Sequence, residues 1–116
     1  MTTTTTKELY KGNSRTFEIE IKDLLGVPID ISGATLKFSV RVTELGSTLI
    51  FKSTANTIEL KITAPLVGKA EVYLIPSDTI NLKAGAYLFD VQLTLANYKV
   101  YTVIKGTLNL IEPITK

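Results

Sequence analysis

The alternation of apolar and polar side chains across residues 35–42 constrains the fold of this chain more than any other feature. Its apolar positions are Leu36, Phe38, Val40 and Val42. Polar or charged residues stand between them, and Gly33 precedes the run. A period of two places successive side chains on opposite faces of an extended strand, which suits a strand with one buried and one solvated face. The segment therefore predicts a half-buried β-strand at Thr35–Thr43.

Shorter segments with the same period, bounded by turn residues, recur along the whole chain. The predicted strands are Glu8–Lys11, Arg15–Lys22, Thr35–Thr43, Thr48–Ser53, Thr57–Ile62, Lys69–Ile75, Ala86–Leu95 and Lys99–Ile111. Predicted inward positions are Phe17, Ile19 and Ile21; Leu49 and Phe51; Ile58, Leu60 and Ile62; Ala70, Val72 and Leu74; Tyr87, Phe89, Val91, Leu93 and Leu95; and Val100, Ile104, Leu108 and Leu110. No segment keeps a 3.6-residue helical period over a helix-length window. Short strands with turn signals every 8–12 residues are typical of an all-β sandwich or barrel.

The segment Leu82-Lys83-Ala84-Gly85-Ala86-Tyr87 has the spacing of a tyrosine corner. In that motif a tyrosine near the start of a late strand donates its hydroxyl to nearby backbone, at a Greek-key crossing. The alternative is that Tyr87 is simply a core aromatic residue. The motif favours a sandwich over a barrel, and we expect an immunoglobulin-like antiparallel β-sandwich of about 7–9 strands.

The turn between the last two predicted strands predicts which of their residues lie opposite each other. A two-residue hairpin loop at Asn97-Tyr98 would place Ala96 opposite Lys99. Asp90 would then lie opposite Lys105 on the outer face. Opposite charges directly across an antiparallel pair contribute about 0.2–1 kcal/mol, so the pair specifies register more than it stabilises.

Composition argues against most catalytic chemistry. The chain has no cysteine and no histidine, so thiol catalysis, disulfides and the commonest general base and metal ligand are absent. Glu18 and Glu20 share a strand face, but they alternate with core residues and indicate a solvated surface. The glycines form no phosphate-binding pattern. We therefore expect no enzyme, no metal, no cofactor and no small-molecule substrate.

The charge pattern and hydropathy narrow the possible partners. Thirteen basic and eleven acidic residues give a net charge of +2, and the two signs are interspersed. Nucleic-acid-binding proteins usually gather lysine and arginine on one face, and this chain shows no such cluster. No apolar run approaches the roughly 18 residues of a membrane helix, and the N-terminus lacks the pattern of a signal peptide. We expect neither a nucleic-acid nor a membrane partner, and no classical secretion.

The threonine run Thr2–Thr6 predicts an N-terminal arm over residues 1–7, followed by one sandwich domain over residues 8–116. Threonine favours extended backbone but buries little by itself. The arm is expected either to fray or to add a strand to a neighbouring subunit.

Four apolar or aromatic residues fall on outward positions of the predicted strands and form the candidate interface. They are Tyr73, Leu88, Tyr101 and Val103. A contiguous patch of such residues marks a protein interface, whereas isolated surface apolar residues are ordinary. Both interpretations stay open at this point.

Three segments together resemble the N-terminal domain of phage baseplate upper proteins and similar immunoglobulin-like modules of prophage tail genes. They are Lys11 to Phe17, with the turn Lys11-Gly12-Asn13; Asp23 to Val42, with Asp23, Gly26, Pro28 and the run Asp30-Ile31-Ser32-Gly33-Ala34; and Leu82 to Val91, with Leu82, Gly85 and Tyr87. The likeness runs from Lys11 onward. The chain departs from the pattern in its threonine leader and in ending at Lys116 without a receptor-binding continuation.

The resemblance implies a structural component of a phage virion, in the baseplate, tail or neck, that is made in the host cytoplasm. It would act by contacts with other virion proteins or with copies of itself. Two alternatives remain. One is a capsid decoration or head-fibre protein. The other is a carbohydrate-binding adhesion module that uses Tyr73, Tyr98 and Tyr101.

Overall fold

The computed structural model describes residues 3–43 and 45–114, and these form eight β-strands in two sheets. The strands are β1 (Thr3–Tyr10), β2 (Arg15–Glu20), β3 (Thr35–Arg41), β4 (Ile50–Ser53), β5 (Leu60–Ala64), β6 (Lys69–Leu74), β7 (Gly85–Thr94) and β8 (Val100–Ile111). One sheet has the order β1-β8-β7-β3-β4, and the other has the order β2-β6-β5. A 3-10 turn at Pro65–Val67 joins β5 to β6, and one helical turn, α1 (Pro76–Thr79), lies between β6 and β7.

The way the strands divide between the sheets is that of an immunoglobulin-like sandwich. That fold places strands B, E and D in one sheet and G, F and C in the other, and variable-type domains add C′ beside C. Here β2, β6 and β5 correspond to B, E and D, while β8, β7, β3 and β4 correspond to G, F, C and C′. The predicted all-β sandwich is confirmed. One pairing departs from the antiparallel pattern, because β1 runs parallel to β8.

The two sheets bury their facing side chains in a single apolar core. The alternation predicted for β2, β3, β6 and β7 is confirmed at Phe17, Ile19, Leu36, Phe38, Val40, Ala70, Val72, Leu74, Phe89, Val91 and Leu93, all buried. The rings of Phe38 and Phe89 lie 5.6 Å apart, tilted by 37°. Phe89 follows Tyr87 by two residues, the spacing at which antibody domains carry their second disulfide cysteine. An aromatic contact thus stands where antibody domains have the disulfide and its packed tryptophan.

The hairpin between β7 and β8 differs from the prediction in its loop and agrees with it further along. The Leu95 N–H donates to the Lys99 carbonyl at 2.9 Å, so the loop has three residues rather than two. Its last residue, Tyr98, has a φ of 66°. A bulge then shifts the register by one residue between Val91 and Gln92. The two offsets cancel, and the predicted pairing of Asp90 with Lys105 is confirmed.

The bulge explains two wrong assignments on β8. Val91 lies opposite Ile104 and Gln92 lies opposite Thr102, which leaves Val103 as the extra residue. An extra residue moves every side chain before it to the other face of the strand. Val103, predicted to face outward, is therefore 2% exposed, and Val100, predicted to face the core, is exposed.

Strand β4 also turns the opposite face to the core from the one predicted. Leu49 and Phe51 are exposed, while Ile50 and Lys52 are buried. The inward lysine is possible because its ammonium nitrogen lies 2.9 Å from Asp78 Oδ2. The predicted fifth strand begins later than expected, at Leu60, and Ile58 lies exposed in the loop before it.

The N-terminal segment belongs to the sandwich from Thr3 onward, which differs from the predicted arm over residues 1–7. Residues 1 and 2 of that arm lie outside the described residues. Strand β1 pairs with β8 from Thr3 opposite Ile104 to Tyr10 opposite Ile111. Leu9 anchors it in the core at 2% exposure. The threonines need no apolar surface to join the sheet, since the ladder uses backbone groups alone.

Gly106 allows β1 to approach β8 closely. It pairs with Thr5, and a Cβ at position 106 would overlap the Thr5 carbonyl oxygen and lie 3.0 Å from the Phe89 ring. The absence of a side chain at this position is thus a steric requirement of the β1 pairing.

The helical turn α1 closes the sandwich at the end opposite the β7–β8 hairpin. Asp78 Oδ2 accepts a hydrogen bond from the Ile75 N–H at 2.8 Å and also pairs with Lys52. The Thr79 hydroxyl oxygen, fully buried, accepts from the Gly12 N–H at 2.8 Å. One turn of helix therefore joins β4 to the turn between β1 and β2.

Replacing Gly106 should detach β1 without unfolding the rest of the sandwich. We expect Gly106→Ala to lower the free energy of unfolding by about 1–3 kcal/mol, the usual cost of overpacking. Amide hydrogen exchange should accelerate along β1 and remain slow in β6. Thr107→Ala, on the outward face of the same strand, serves as the control. Unchanged protection of β1 in Gly106→Ala would contradict the steric role.

Removing one member of the Lys52–Asp78 pair should cost more than removing both. The two side chains are 6% and 16% exposed, so the pair is largely desolvated. Asp78→Ala leaves a buried ammonium group without its partner, and we expect a loss of about 3–5 kcal/mol in unfolding free energy. The double variant Lys52→Met with Asp78→Ala should regain part of that loss. Denaturant unfolding of both single variants and the double variant measures the coupling, and strictly additive losses would refute it.

Candidate protein interface

Three connections between strands lie side by side at one end of the sandwich. They are residues 21–34 between β2 and β3, residues 65–68 between β5 and β6, and residues 95–99 between β7 and β8. The Ile31 N–H donates to the Pro65 carbonyl at 2.8 Å, which joins the first two connections. A Cβ on Gly33 would lie 3.8 Å from the Ala96 Cβ, which places the first beside the third. The three connections form one continuous surface.

The first connection carries a small hairpin whose tip is apolar. Lys22 and Pro28 form its β-bridge. Asp23 Oδ1 accepts hydrogen bonds from the Leu25 and Val27 N–H groups, both at 2.9 Å. Leu24 and Leu25 are 86% and 88% exposed. The Asp23 carboxylate accepts hydrogen bonds from two backbone N–H groups of the turn. The two leucines therefore project from an ordered turn rather than from a loose loop.

The second connection is fixed against the backbone of the first. Gly68 has a φ of +68°, and a Cβ there would lie 2.6 Å from the Ile21 carbonyl oxygen and 2.8 Å from that of Ile29. Only glycine satisfies both the left-handed conformation and this close approach. Leu66 and Val67, just before it, remain exposed to solvent.

The third connection contributes an exposed aromatic residue. Tyr98 occupies the left-handed region at the end of a three-residue loop and is 88% exposed. Asn97 Oδ1 accepts from the Lys99 N–H at 3.1 Å and fixes the turn. Val100, at the start of β8, is also exposed.

Together these connections present a set of exposed apolar side chains that we call the apolar loop cluster. Its members are Leu24, Leu25, Val27, Leu66, Val67, Tyr98 and Val100. Single exposed apolar residues are common on proteins, whereas contiguous apolar patches are typical of interaction surfaces. Tyrosine, apolar with a polar tip, is enriched at interfaces.

The structure does not bring the predicted interface residues into one surface. Tyr73 is half-buried on the outer face of the three-stranded sheet, and its hydroxyl donates to Glu71 Oε1 at 3.1 Å. Burial and the Glu71 carboxylate raise the pKa of Tyr73. Leu88 is half-buried on the outer face of the other sheet. Val103 is buried, so its assignment to an outer surface is wrong.

Tyr101 takes an intermediate position. It lies opposite Leu93, whose side chain is fully buried, so Tyr101 is on the core-facing side of β8 rather than the outer face predicted. It is nevertheless 39% exposed, at the second position of β8. Of the four predicted residues, Tyr101 alone borders the apolar loop cluster.

The outer face of the five-stranded sheet is polar and mixed in charge. Asp90 lies between Ser39 on β3 and Lys105 on β8. Burial raises the pKa of Asp90, and the charges of Arg41 and Lys105 oppose that rise. Within the described residues, no group of three or more acidic, histidine or cysteine residues could hold a metal ion. Within the same part of the chain, no helix has the length and apolar character needed to cross a membrane.

The predicted tyrosine corner is present. The Tyr87 hydroxyl donates to the Lys83 carbonyl at 2.5 Å, and the ring is buried. The Leu82 N–H bonds to the Thr79 carbonyl at 2.9 Å, and its side chain packs against the core. Gly85 begins β7 directly afterwards. These bonds hold the connection from α1 into β7 against the sandwich.

Sequence reasoning missed the apolar loop cluster because it searched the outward positions of strands. The sequence feature that could have revealed the cluster lies in a turn. Leu24 and Leu25 sit between Asp23 and Gly26, where turns usually carry polar side chains. Apolar residues in a segment rich in turn formers have no core to enter and remain at the surface.

No protein-family model matches this chain, and no curated protein matches its sequence. Similar solved structures include murine CRIg, with 11% identity over 92% of both chains and a TM-score of 0.45. CopC from Methylosinus trichosporium OB3b has 10% identity over 93% of this chain and 87% of its own, with a TM-score of 0.46. A structure concerned with cell-adhesive interactions of VGSC beta subunits has 15% identity over 95% and 93%, with a TM-score of 0.48.

Removing the Tyr87 hydroxyl should weaken the corner measurably. We expect Tyr87→Phe to lower the free energy of unfolding by about 1 kcal/mol, because the Lys83 carbonyl loses its intramolecular donor while the ring still fills the core. Tyr98→Phe, which alters an exposed tyrosine in the same way, should leave stability unchanged. Thermal or denaturant unfolding of the two variants tests this, and equal effects would contradict a structural role for the Tyr87 hydroxyl.

Proposed function

We propose that this protein is a structural component of a bacteriophage virion, in the baseplate, tail or neck, and that it acts through protein–protein contacts without catalysis. The apolar loop cluster is its main contact surface, and the partner is another virion protein. The protein is made in the host cytoplasm and is located in the assembled particle.

The apolar loop cluster is the observation that supports this proposal most strongly. Its side chains lie on three separate connections. Backbone hydrogen bonds join the first connection to the second, and internal hydrogen bonds order the third. Pre-ordered loops lose little conformational entropy on binding, so more of the free energy from apolar burial is available as affinity. A surface of this kind is costly to leave in water and is suited to a permanent subunit contact.

The resemblance to phage modules supports the location in a virion. One of its segments, with Asp23, Gly26 and Pro28, forms the hairpin that presents Leu24 and Leu25. Another, Leu82 to Tyr87, contains the tyrosine corner. The residues that carry the resemblance therefore include those that shape the proposed contact surface.

The alternatives have less support. A capsid decoration or head-fibre protein would use the same kind of contact at another place in the particle. A carbohydrate-binding module would stack sugars on Tyr73, Tyr98 and Tyr101. Tyr73 lies on the outer face of the three-stranded sheet, whereas Tyr98 and Tyr101 lie at or near the start of β8 in the five-stranded sheet. Only these two tyrosines are near each other at the loop end.

The test combines particle composition with matched surface variants. Mass spectrometry of purified particles from the phage or prophage that encodes the chain should find it at a fixed copy number, which also separates tail from capsid positions. We expect Leu24→Asp with Leu25→Asp to reduce incorporation at least about tenfold, since two charges cannot be desolvated against an apolar partner. Both leucines are exposed, so folding should not change.

Leu45→Asp is the control, because Leu45 is equally exposed but belongs to the connection between β3 and β4. It should be incorporated like the unmodified protein. Absence of the chain from purified particles would overturn the virion assignment. Normal incorporation of the double aspartate variant would overturn the role of the apolar loop cluster.

A further inference from the structure

The three-stranded sheet has an open edge at β2. Constant-type immunoglobulin sandwiches place strand A beside strand B in this position. Here β1 pairs with β8 of the other sheet, and among the described strands only β6 pairs with β2. The Ile21 N–H bonds to Gly68, so odd-numbered residues of β2 face β6 with their backbone groups. The backbone groups of Thr16, Glu18 and Glu20 therefore point outward, away from the sheet.

An apolar cleft opens beside this edge. It has a volume of about 180 Å³ and lies between the two sheets, with Phe17, Ile19, Phe38 and Phe89 among its lining residues. The β1 side of the cleft is lined by Thr5 and Lys7, both half-buried. Lys7 Nζ and Arg15 Cζ lie 5.8 Å and 5.4 Å from the centre of the Phe17 ring. The four apolar lining residues are at most 5% exposed. Charged side chains rather than a strand therefore cover this part of the core.

On the outer face, Glu18 stands at the edge, and Lys61 on β5 lies opposite Glu71 on the far side. Glu18 lies directly opposite Glu71 on β6. Like charges in this position are destabilising. Glu20 is already paired, at 2.8 Å from the Lys22 ammonium nitrogen. A positive charge placed beside Glu18 on an added strand would relieve the repulsion between the two glutamates.

We propose that the β2 edge binds an extended segment of a partner protein, which adds a fourth strand to the three-stranded sheet. The segment alternates apolar residues, which enter the cleft, with lysine or arginine residues, which lie beside Glu18. Backbone hydrogen bonds to the outward groups of β2 supply affinity, and the alternating side chains supply specificity. This contact is separate from the apolar loop cluster and would engage a different part of a partner.

Charge argues against a second copy of the chain as the occupant. Two β2 edges pairing antiparallel around a two-fold axis would place Glu18 and Glu20 of one copy against the same residues of the other. That arrangement adds like-charge contacts to an edge that already carries the Glu18–Glu71 pair. A partner segment with basic outward side chains is complementary instead.

Hydrogen exchange on the full chain tests the proposal. The probe is a capped nine-residue peptide that alternates valine and lysine. In the free protein the amides of Thr16, Glu18 and Glu20 should exchange rapidly, and saturating peptide should slow them at least about tenfold. The amides of Phe17 and Ile19, which already bond to β6, should change little. Unchanged exchange at Thr16, Glu18 and Glu20 would overturn strand addition.

A charge reversal tests the specificity of the edge. The unmodified protein should bind the valine–lysine peptide about fivefold more tightly than a valine–glutamate peptide, and Glu18→Lys should reverse that preference. Glu18 is exposed, so the variant should fold normally. The same preference in both proteins would contradict the proposal. The variant with aspartate at positions 24 and 25 should bind the peptides normally, which separates this result from the test of the apolar loop cluster.

Discussion

The packing of a five-stranded sheet against a three-stranded sheet is the constraint on which the rest of this structure depends. Strands lie about 4.8 Å apart, so the larger sheet is roughly 10 Å wider than the smaller one. Its outermost strands, β1 and β4, therefore extend beyond the sheet that should cover them. The central strands β7 and β3 meet β6 through fully apolar contacts, and Phe38 and Phe89 touch at their centre. The inner faces of β1 and β4 must therefore be covered by something other than the smaller sheet.

The inner faces of β4 and β1 are covered in different ways. Under β4, the inward Lys52 reaches Asp78 of α1, so that a helical turn and an ion pair complete the covering of the core. Under β1, no described element takes the same place. Thr5 and Lys7 face the interior beside the β2 edge and line the cleft. The first overhang is closed by an ion pair, whereas the second is covered by the side chains of β1 and leaves the backbone groups of the β2 edge available to a partner.

The sequence predicted the parts of the fold that depend on regular alternation. Strands β2, β3, β6 and β7, the Asp90–Lys105 pairing and the Tyr87 corner all follow from local patterns. Alternation no longer identifies the buried face where the ladder is irregular, so the bulge at Val103 reversed the assignment of the first third of β8. It also fails where a polar residue finds a distant partner, as Lys52 does. The first part of β1, residues 3–7, was not predicted to join the sheet, because its pairing uses backbone groups and the room left by Gly106.

The candidate surfaces were harder to predict than the fold for a related reason. The buried face of a strand is formed by alternate residues of one segment, so a period of two in the sequence reveals it. A binding surface at the loop end is assembled from three connections far apart in sequence, and no periodicity links Leu24, Leu66 and Tyr98. What makes them neighbours is backbone contact, such as the Ile31–Pro65 hydrogen bond.

The positions of the two proposed contacts bear on how such a domain can connect larger parts. The apolar loop cluster lies at the strand ends, while the β2 edge runs along one side of the sandwich. The two contacts also differ in physical character. The loop contact relies on apolar burial, which tolerates salt, whereas recognition beside Glu18 relies on charge and weakens as ionic strength rises. A domain built in this way can keep one neighbour permanently and exchange the other according to its charge.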